Sequence, residues 1–221
     1  MSIPTQLRNG LLLTMLATAC SGAFAAESAD LSVKGVIRPS ACSVALSNNG
    51  TVDYGTILAK SLSATDVTKL PDRDVTMTIN CEAATKVGFK IVDNRDGTAS
   101  DVLIPIDPAA KGGVPFGLGA VDGKNLGGYG IQARVADATA DGATVADVVL
   151  VNGTSLSTYG NYVVPTWETG WSNTNGGTPH AYTTISQVLR IVGGLNSTAN
   201  LPSLTSNVEL DGSATISVVY L

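Results

Sequence analysis

Few side chains in the 221-residue sequence have the types and spacing that chemistry needs. The one histidine, His180, would act as a base only beside a nucleophile and an acid, and no Gly-x-Ser-x-Gly elbow is present. Asp93, Asp96 and Asp101 follow an apolar run, but their spacing does not match a calcium loop and favours a solvated turn. We therefore predict no catalytic residues, no metal, no cofactor and no enzymatic activity.

The cysteines indicate a structural role. Cys20 lies in a predicted targeting segment, so the mature chain would keep Cys42 and Cys81. Neither has a neighbouring histidine or a Cys-x-x-Cys partner that would favour a reactive thiol. Two such cysteines in an oxidising compartment predict one disulfide, which would stabilise the fold by about 3–4 kcal/mol.

Trp167 and Trp171 are the strongest candidates for a ligand-binding surface. They lie in a stretch rich in Gly, Thr, Asn and Tyr, residues 153–182, which we interpret as an elaborated hairpin or insertion. Flat aromatic faces stack on sugars and would suit an adhesin. The alternative is that both rings pack this stretch onto the rest of the domain.

Composition excludes several classes of protein. The chain carries 14% charged and 44% hydrophobic residues and a net charge of −5, with a pI near 4.7. Nucleic-acid binding needs a basic face, so no nucleic-acid partner is expected. Intrinsic disorder is disfavoured because the chain is apolar and weakly charged.

The first 25 residues have the pattern of a Sec signal peptide. Arg8 is followed by an apolar run from Leu11 to Ala17 and by the small-residue ending Ala23-Phe24-Ala25. The run is too short to span a membrane. A buried N-terminal helix and a lipoprotein signal ending at Cys20 are the alternatives.

The remaining chain alternates apolar and polar residues with the period of two that is typical of strands. Pro and Gly separate these runs roughly every 8–15 residues, and no segment has a convincing helical period. This spacing predicts a single β-sandwich domain. The runs lie at 31–37, 75–81, 87–91, 131–135, 145–151, 185–192 and 208–220.

The two ends of the mature chain carry the functional argument. The last strand is predicted to run from Val208 almost to the last residue, which is unusual because termini commonly fray. Some other backbone must pair with it and cover its apolar face. The N-terminal segment 26–35 also alternates, with Ala29, Leu31 and Val33 on one side.

Several motifs together resemble the subunits of bacterial chaperone–usher pili. They are Lys34-Gly35 before Cys42, the segment Asp53-Tyr54-Gly55-Thr56, a second cysteine about 40 residues after the first, and the ending 212–221 with its penultimate Tyr220. A poorly characterised family of fimbrial-type exported proteins is similar in Asp93-Asn94-Arg95, in 116–119 and in 210–215. The resemblance spans most of residues 31–221.

The resemblance implies an immunoglobulin-like sandwich of the pilin type, incomplete because its last strand is missing, with an inserted hairpin region. It divides the chain into a signal peptide (1–25), a donor-strand extension (26–35) and a pilin-like domain (36–221). In such subunits a periplasmic chaperone fills the apolar groove first. The extension of a neighbouring fimbrial subunit replaces it at the outer-membrane usher.

On this basis we expect a structural subunit of a chaperone–usher fimbria, exported through Sec to the periplasm and then to the cell surface. The donor strand would use Ala29, Leu31 and Val33. The chaperone would contact the C-terminal strand at Gly212, Ala214, Ile216, Val218, Tyr220 and Leu221. The alternatives are a fimbrial adhesin that binds a glycan through 153–182, and a stand-alone periplasmic β-sandwich binding protein.

Overall fold

The computed structural model describes residues 30–36, 41–110 and 113–221. The chain forms two units, residues 1–38 and residues 39–221. The predicted signal peptide over 1–25, the donor candidate Ala29 and the alternating residue Ile37 lie outside the described residues.

Among the described residues of the second unit, nearly all regular secondary structure is strand, which confirms the all-β class. One helical turn, α1 (Leu103–Ile106), and three 3-10 turns (Ser47–Gly50, Ala59–Ser61 and Leu156–Tyr159) interrupt them. The strands are β1 (Cys42–Leu46), β2 (Thr68–Lys69), β3 (Arg73–Asp93), β4 (Phe116–Gly117), β5 (Ala120–Val121), β6 (Lys124–Asn125), β7 (Gly127–Ala140), β8 (Ala143–Thr144), β9 (Asp147–Leu150), β10 (Thr169–Ser172), β11 (Ala181–Leu195) and β12 (Ala214–Tyr220).

The central strand is β3, which joins two runs that the sequence predicts separately. Val75, Met77 and Ile79 are buried in its first half, and Val87, Phe89 and Ile91 are buried in its second half. The first half pairs with β1 and β11, whereas the second half pairs with β12 and β10. The register with β11 shifts between Tyr182 and Thr184, an irregularity of the kind that bends a strand from one layer to another.

Strand β11 lies between β3 and β7 and supplies much of the core. Ile185, Leu189 and Ile191 are buried on one face, as their alternation predicts. Apolar side chains from both halves of β3, from β7 and from β11 form one cluster, so the strands enclose a shared sandwich-like core.

Strand β9 is buried at all four positions, which fits the prediction of a strand covered on both faces. It pairs antiparallel with β10, and β10 pairs in turn with the second half of β3. Residues 151–168 connect β9 to β10, so the elaborated hairpin expected near 153–182 is present and begins at Asp147.

Two predicted strands differ in the structure. Residues 30–36 form no strand, because alternation produces a strand only where a second backbone pairs with it. The last strand begins at Ala214 rather than Val208. Ala214 lies opposite Asp93, and β3 ends there in a turn over 94–97, so residues 208–213 have no β3 backbone to pair with.

Candidate functional site

The site begins with two incompletely paired strands. Within the described part of the chain, β1 pairs with β3 alone, and β12 also pairs with β3 alone. Each strand therefore has one edge that no ladder covers, and an uncovered edge accepts another strand. The Tyr220 hydroxyl accepts a hydrogen bond from the backbone N–H of Cys42 at 3.0 Å, which brings the two strands together at one end.

Away from that contact, β1 and β12 border a cavity of about 300 Å³. Val75, Leu189 and Ile191 form its floor, while Leu46 of β1 and Ile216 of β12 line its sides. The lining is largely apolar, so the cavity suits aliphatic side chains.

A second cavity of about 490 Å³ continues from the first. It lies between residues 52–59 and residues 206–210. Val52, Tyr54 and Leu210 line both cavities, so the two cavities adjoin. We refer to the two together as the groove.

A disulfide fixes the β1 side of the groove. Cys42 and Cys81 lie opposite each other in the β1–β3 register, with their Cα atoms 4.0 Å apart, and their sulfur atoms are bonded. This confirms the predicted pairing. Because Cys81 is buried in the core, the bond ties the edge strand β1 to the central strand.

Polar contacts hold the opposite side, at residues 211–215. Arg95 donates from Nε to Asp211 Oδ2 at 2.7 Å and from its Nη2 atom to Oδ1 at 2.8 Å. The Asn94 amide donates to the hydroxyls of Ser213 and Thr215, each at 3.0 Å. The hydrogen bond from Arg95 lowers the pKa of Asp211 below its ordinary value.

Tyr54 is a groove residue that the functional prediction does not include. The Asp53 carboxylate accepts the N–H of Gly55 at 2.7 Å, and Gly55 has a φ of +62°, so the chain turns sharply beside the ring. The motif Asp53-Tyr54-Gly55 was the available signal. Burial raises the pKa of the Tyr54 hydroxyl, and the Arg73 guanidinium carbon lies 5.6 Å from the centre of the ring.

Strand β12 has the predicted two-sided character. Ala214, Ile216 and Val218 are half-buried and pack against the core, whereas Thr215 and Ser217 are exposed. Ala214 and Ile216 also line the groove.

The two other predicted residues of this end lie outside the strand. Gly212 precedes it and packs near Leu118 and Tyr129, so it belongs to the groove but not to β12. Leu221 follows it, and the Leu221 N–H donates to the Lys86 carbonyl at 3.0 Å.

The N-terminal segment presents its apolar side chains to solvent. Leu31 is 91% exposed and Val33 is 88% exposed. Leu31 and Val33 are two residues apart, so an extended backbone would present both side chains on the same face.

The tryptophans correct the predicted ligand surface. Trp171 is 1% exposed, donates its indole N–H to Gln187 Oε1 at 3.0 Å, and packs on Phe89 with ring centres 5.3 Å apart. It is a core residue and cannot contact a ligand. Trp167 is 43% exposed and meets the Tyr159 ring edge-on at 5.6 Å. The packing alternative therefore applies to Trp171.

The remaining candidates for chemistry, His180 and the aspartates near Asp93, make other contacts in the structure. His180 is exposed and lies edge-on to Tyr182, with ring centres 5.2 Å apart. The Asp93 carboxylate accepts the N–H groups of Arg95 and Gly117, each at 2.8 Å, and so shapes a turn. The described residues contain no cluster of three or more His, Cys, Asp or Glu side chains arranged for a metal.

No helix in residues 30–36, 41–110 or 113–221 is long and apolar enough to cross a membrane.

Comparisons with known proteins find a matching family for part of the chain and relatives along nearly all of it. Residues 31–130 match the family described as protein of unknown function DUF1120. The chain is 27% identical to the uncharacterized protein YhcF of Escherichia coli K12, over 96% of this chain and 98% of that protein. It is also 27% identical to protein GltF of the same organism, over 97% of this chain and 98% of the relative.

Solved structures also match, among them a pilus subunit chain. A chain from a chaperone–usher pilus aligns with 89% of this chain and 97% of its own length, with 12% identity and a TM-score of 0.38.

Proposed function

We propose that this protein is a structural subunit of a chaperone–usher type fimbria and that it assembles by strand addition. The observation that carries the proposal is the first cavity of the groove, which is lined mostly by apolar side chains and lies between the open edges of β1 and β12. In strand addition, main-chain hydrogen bonds along an open edge supply affinity, and alternate side chains of the added strand fill apolar pockets.

The occupant that we propose is the N-terminal segment of a second copy or of a similar neighbouring subunit. In an extended strand, side chains two residues apart point to the same face, about 6.6 Å apart. Leu31 and Val33 have that spacing and are exposed. Ala214 and Ile216 line the groove with the same spacing along β12, so the two patterns correspond.

Before assembly the groove and the open edge of β12 would be uncovered. An exposed apolar groove beside an open sheet edge favours aggregation. A periplasmic chaperone that lends a strand would cover both, and an outer-membrane usher would exchange that strand for the segment of a neighbouring subunit. This role requires export through Sec.

The alternatives receive less support. The adhesin hypothesis rests on two tryptophans, and Trp171 is buried. The stand-alone sandwich requires the C-terminal strand to close its own sheet. Strand β12 has only β3 as a partner within the described residues, so one of its edges stays open.

Two complementary variants of the mature chain test the proposal. In the donor variant, Leu31→Asp and Val33→Asp place charges on the segment and leave the groove intact. In the acceptor variant, Ile216→Asp places a charge in the groove and leaves the segment intact. Ser217→Asp, which changes an exposed neighbour on β12, is the matched control. Sedimentation measures the association state of each.

We expect neither the donor variant alone nor the acceptor variant alone to form the oligomers of the unaltered chain. Their mixture should form a dimer of one copy of each, since only one groove and one segment are functional. The Ser217→Asp chain should form oligomers as the unaltered chain does. Self-association of either variant to the extent of the unaltered chain would contradict the proposal.

A further inference from the structure

Tyr54 places a polar group at the junction of the two cavities that form the groove. Its hydroxyl oxygen is buried and has no hydrogen-bond partner among the described residues. The ring as a whole is half-buried and borders both cavities, together with Val52 and Leu210. Buried hydroxyls are normally paired, so this one calls for an explanation.

The position of the hydroxyl explains why it is unpaired. A Cβ atom added to Gly193 would lie 3.4 Å from the Tyr54 oxygen and 3.4 Å from Leu70 Cδ1, so the ring reaches across to the groove floor beside β11. The Gly193 carbonyl there already accepts the N–H of Leu70 at 2.9 Å. The ring thus lies where the two cavities meet. Its hydroxyl lies near Gly193, whose carbonyl already accepts a hydrogen bond.

This arrangement is unfavourable when the groove is empty. A hydroxyl that is removed from water without a hydrogen bond destabilises the state that contains it. The Arg73 guanidinium carbon lies 5.6 Å from the centre of the ring, and the sharp turn at Gly55 follows Tyr54 directly. Neither feature uses the hydroxyl.

We propose that Tyr54 is a specificity-determining residue of the groove, whose hydroxyl turns from the floor and donates a hydrogen bond to the backbone of the strand that enters. The inference rests on the proposed function, with the N-terminal segment of a second copy as that strand. The added strand brings carbonyl groups at regular intervals, and one of them supplies the acceptor that the floor lacks. Tyr54 then favours a correctly placed backbone over a merely apolar occupant.

The test is Tyr54→Phe, made in the donor variant (Leu31→Asp, Val33→Asp) so that the chain's own segment does not compete. The probe is a synthetic peptide of residues 26–36, and the measurements are its Kd by fluorescence anisotropy and the melting midpoint of the empty protein. The control is Tyr162→Phe, because the Tyr162 hydroxyl donates to Asp107 Oδ2 at 2.7 Å, away from the residues that line the groove.

We expect Tyr54→Phe to change the two measurements in opposite directions. The empty protein should melt about 2–4 °C higher, because an unpaired buried hydroxyl is removed. The peptide should bind about threefold to tenfold more weakly, because one hydrogen bond is lost. Tyr162→Phe should lower the melting midpoint and leave the peptide Kd unchanged, since it removes a hydrogen bond that is already made.

Two results would overturn the inference while the proposed function stands. One is a peptide Kd that Tyr54→Phe leaves unchanged, and the other is a lower melting midpoint for the empty Tyr54→Phe protein. If the peptide does not bind the parent donor variant at all, the proposed function fails together with the inference. The parent titration therefore distinguishes the two failures.

Discussion

The Tyr220 hydroxyl accepts the backbone N–H of Cys42 at 3.0 Å, across 178 residues of sequence. The contact joins the end of the C-terminal strand to the start of the first strand. Both strands otherwise pair with β3 within the described residues, so this bond links the two sides of the groove directly. It also lies next to the disulfide, which makes this the firmly held end of the groove.

Removing that link should loosen one end of the groove. We expect Tyr220→Phe to lower the free energy of unfolding by about 0.5–1.5 kcal/mol, because the Cys42 N–H loses its acceptor. Urea denaturation of the oxidised mature chain measures the change, and Ser217→Ala, an exposed substitution on the same strand, is the control. Equal stability of Tyr220→Phe and the unaltered chain would show that the bond contributes nothing.

The disulfide should contribute more. It spans a sequence separation of 39 residues. A cross-link over a loop of that length stabilises the folded state by about 4 kcal/mol in the chain-entropy account. We expect the reduced protein, or Cys42→Ser with Cys81→Ser, to unfold at a clearly lower urea concentration. An unchanged midpoint after complete reduction would contradict this.

The ion pair at the opposite side should respond to acid. The pKa of Asp211 lies below its ordinary value of 3.8 because Arg95 hydrogen-bonds its carboxylate. The stability that the Arg95–Asp211 pair contributes is therefore present above pH 3.8 and is lost as the pH falls through the folded-state pKa of Asp211. We expect Arg95→Gln to return the Asp211 pKa toward its ordinary value in a carboxyl NMR titration. A titration that is identical in both proteins would refute the assignment.

The two tryptophans should behave differently. Trp171 is buried and hydrogen-bonded to Gln187, so Trp171→Ala should destabilise the fold by about 3–5 kcal/mol. Trp167→Ala should cost clearly less than Trp171→Ala, because the Trp167 ring is 43% exposed and therefore loses less burial together with its edge contact with Tyr159. Thermal unfolding distinguishes them. Similar losses for both would mean that the hairpin packs differently from the structure described.

The strands and the disulfide were largely predictable from the sequence, because both depend on local pattern or simple counting. Alternation in β3, β7, β11 and β12 matches their buried faces. Cys42 and Cys81 were the remaining pair once Cys20 was assigned to the signal peptide.

The groove itself depends on topology, which alternation does not encode. Residues 208–213 alternate as regularly as β12 does, but β3 turns away after Asp93, so they form no ladder with it and make only single backbone hydrogen bonds, from Asn94 N–H to the Ser213 carbonyl and from Asp211 N–H to the Leu118 carbonyl. Trp171 packs on Phe89 and donates its indole N–H to Gln187 of β11, and a list of aromatic residues does not reveal those contacts. The motif Asp53-Tyr54-Gly55 marks Tyr54 in the sequence, but its place in the groove follows from residues 52–59 lying opposite 206–210, which the sequence does not show.

The most direct test of the account is amide hydrogen exchange of the donor variant with and without the peptide of residues 26–36, resolved by residue. If the groove accepts this segment as a strand, the amides of β1 and β12 that point away from β3 should exchange more slowly with peptide. Those around Trp167 should be unaffected. Unchanged exchange along both strands, or protection confined to the Trp167 region, would contradict the central claim.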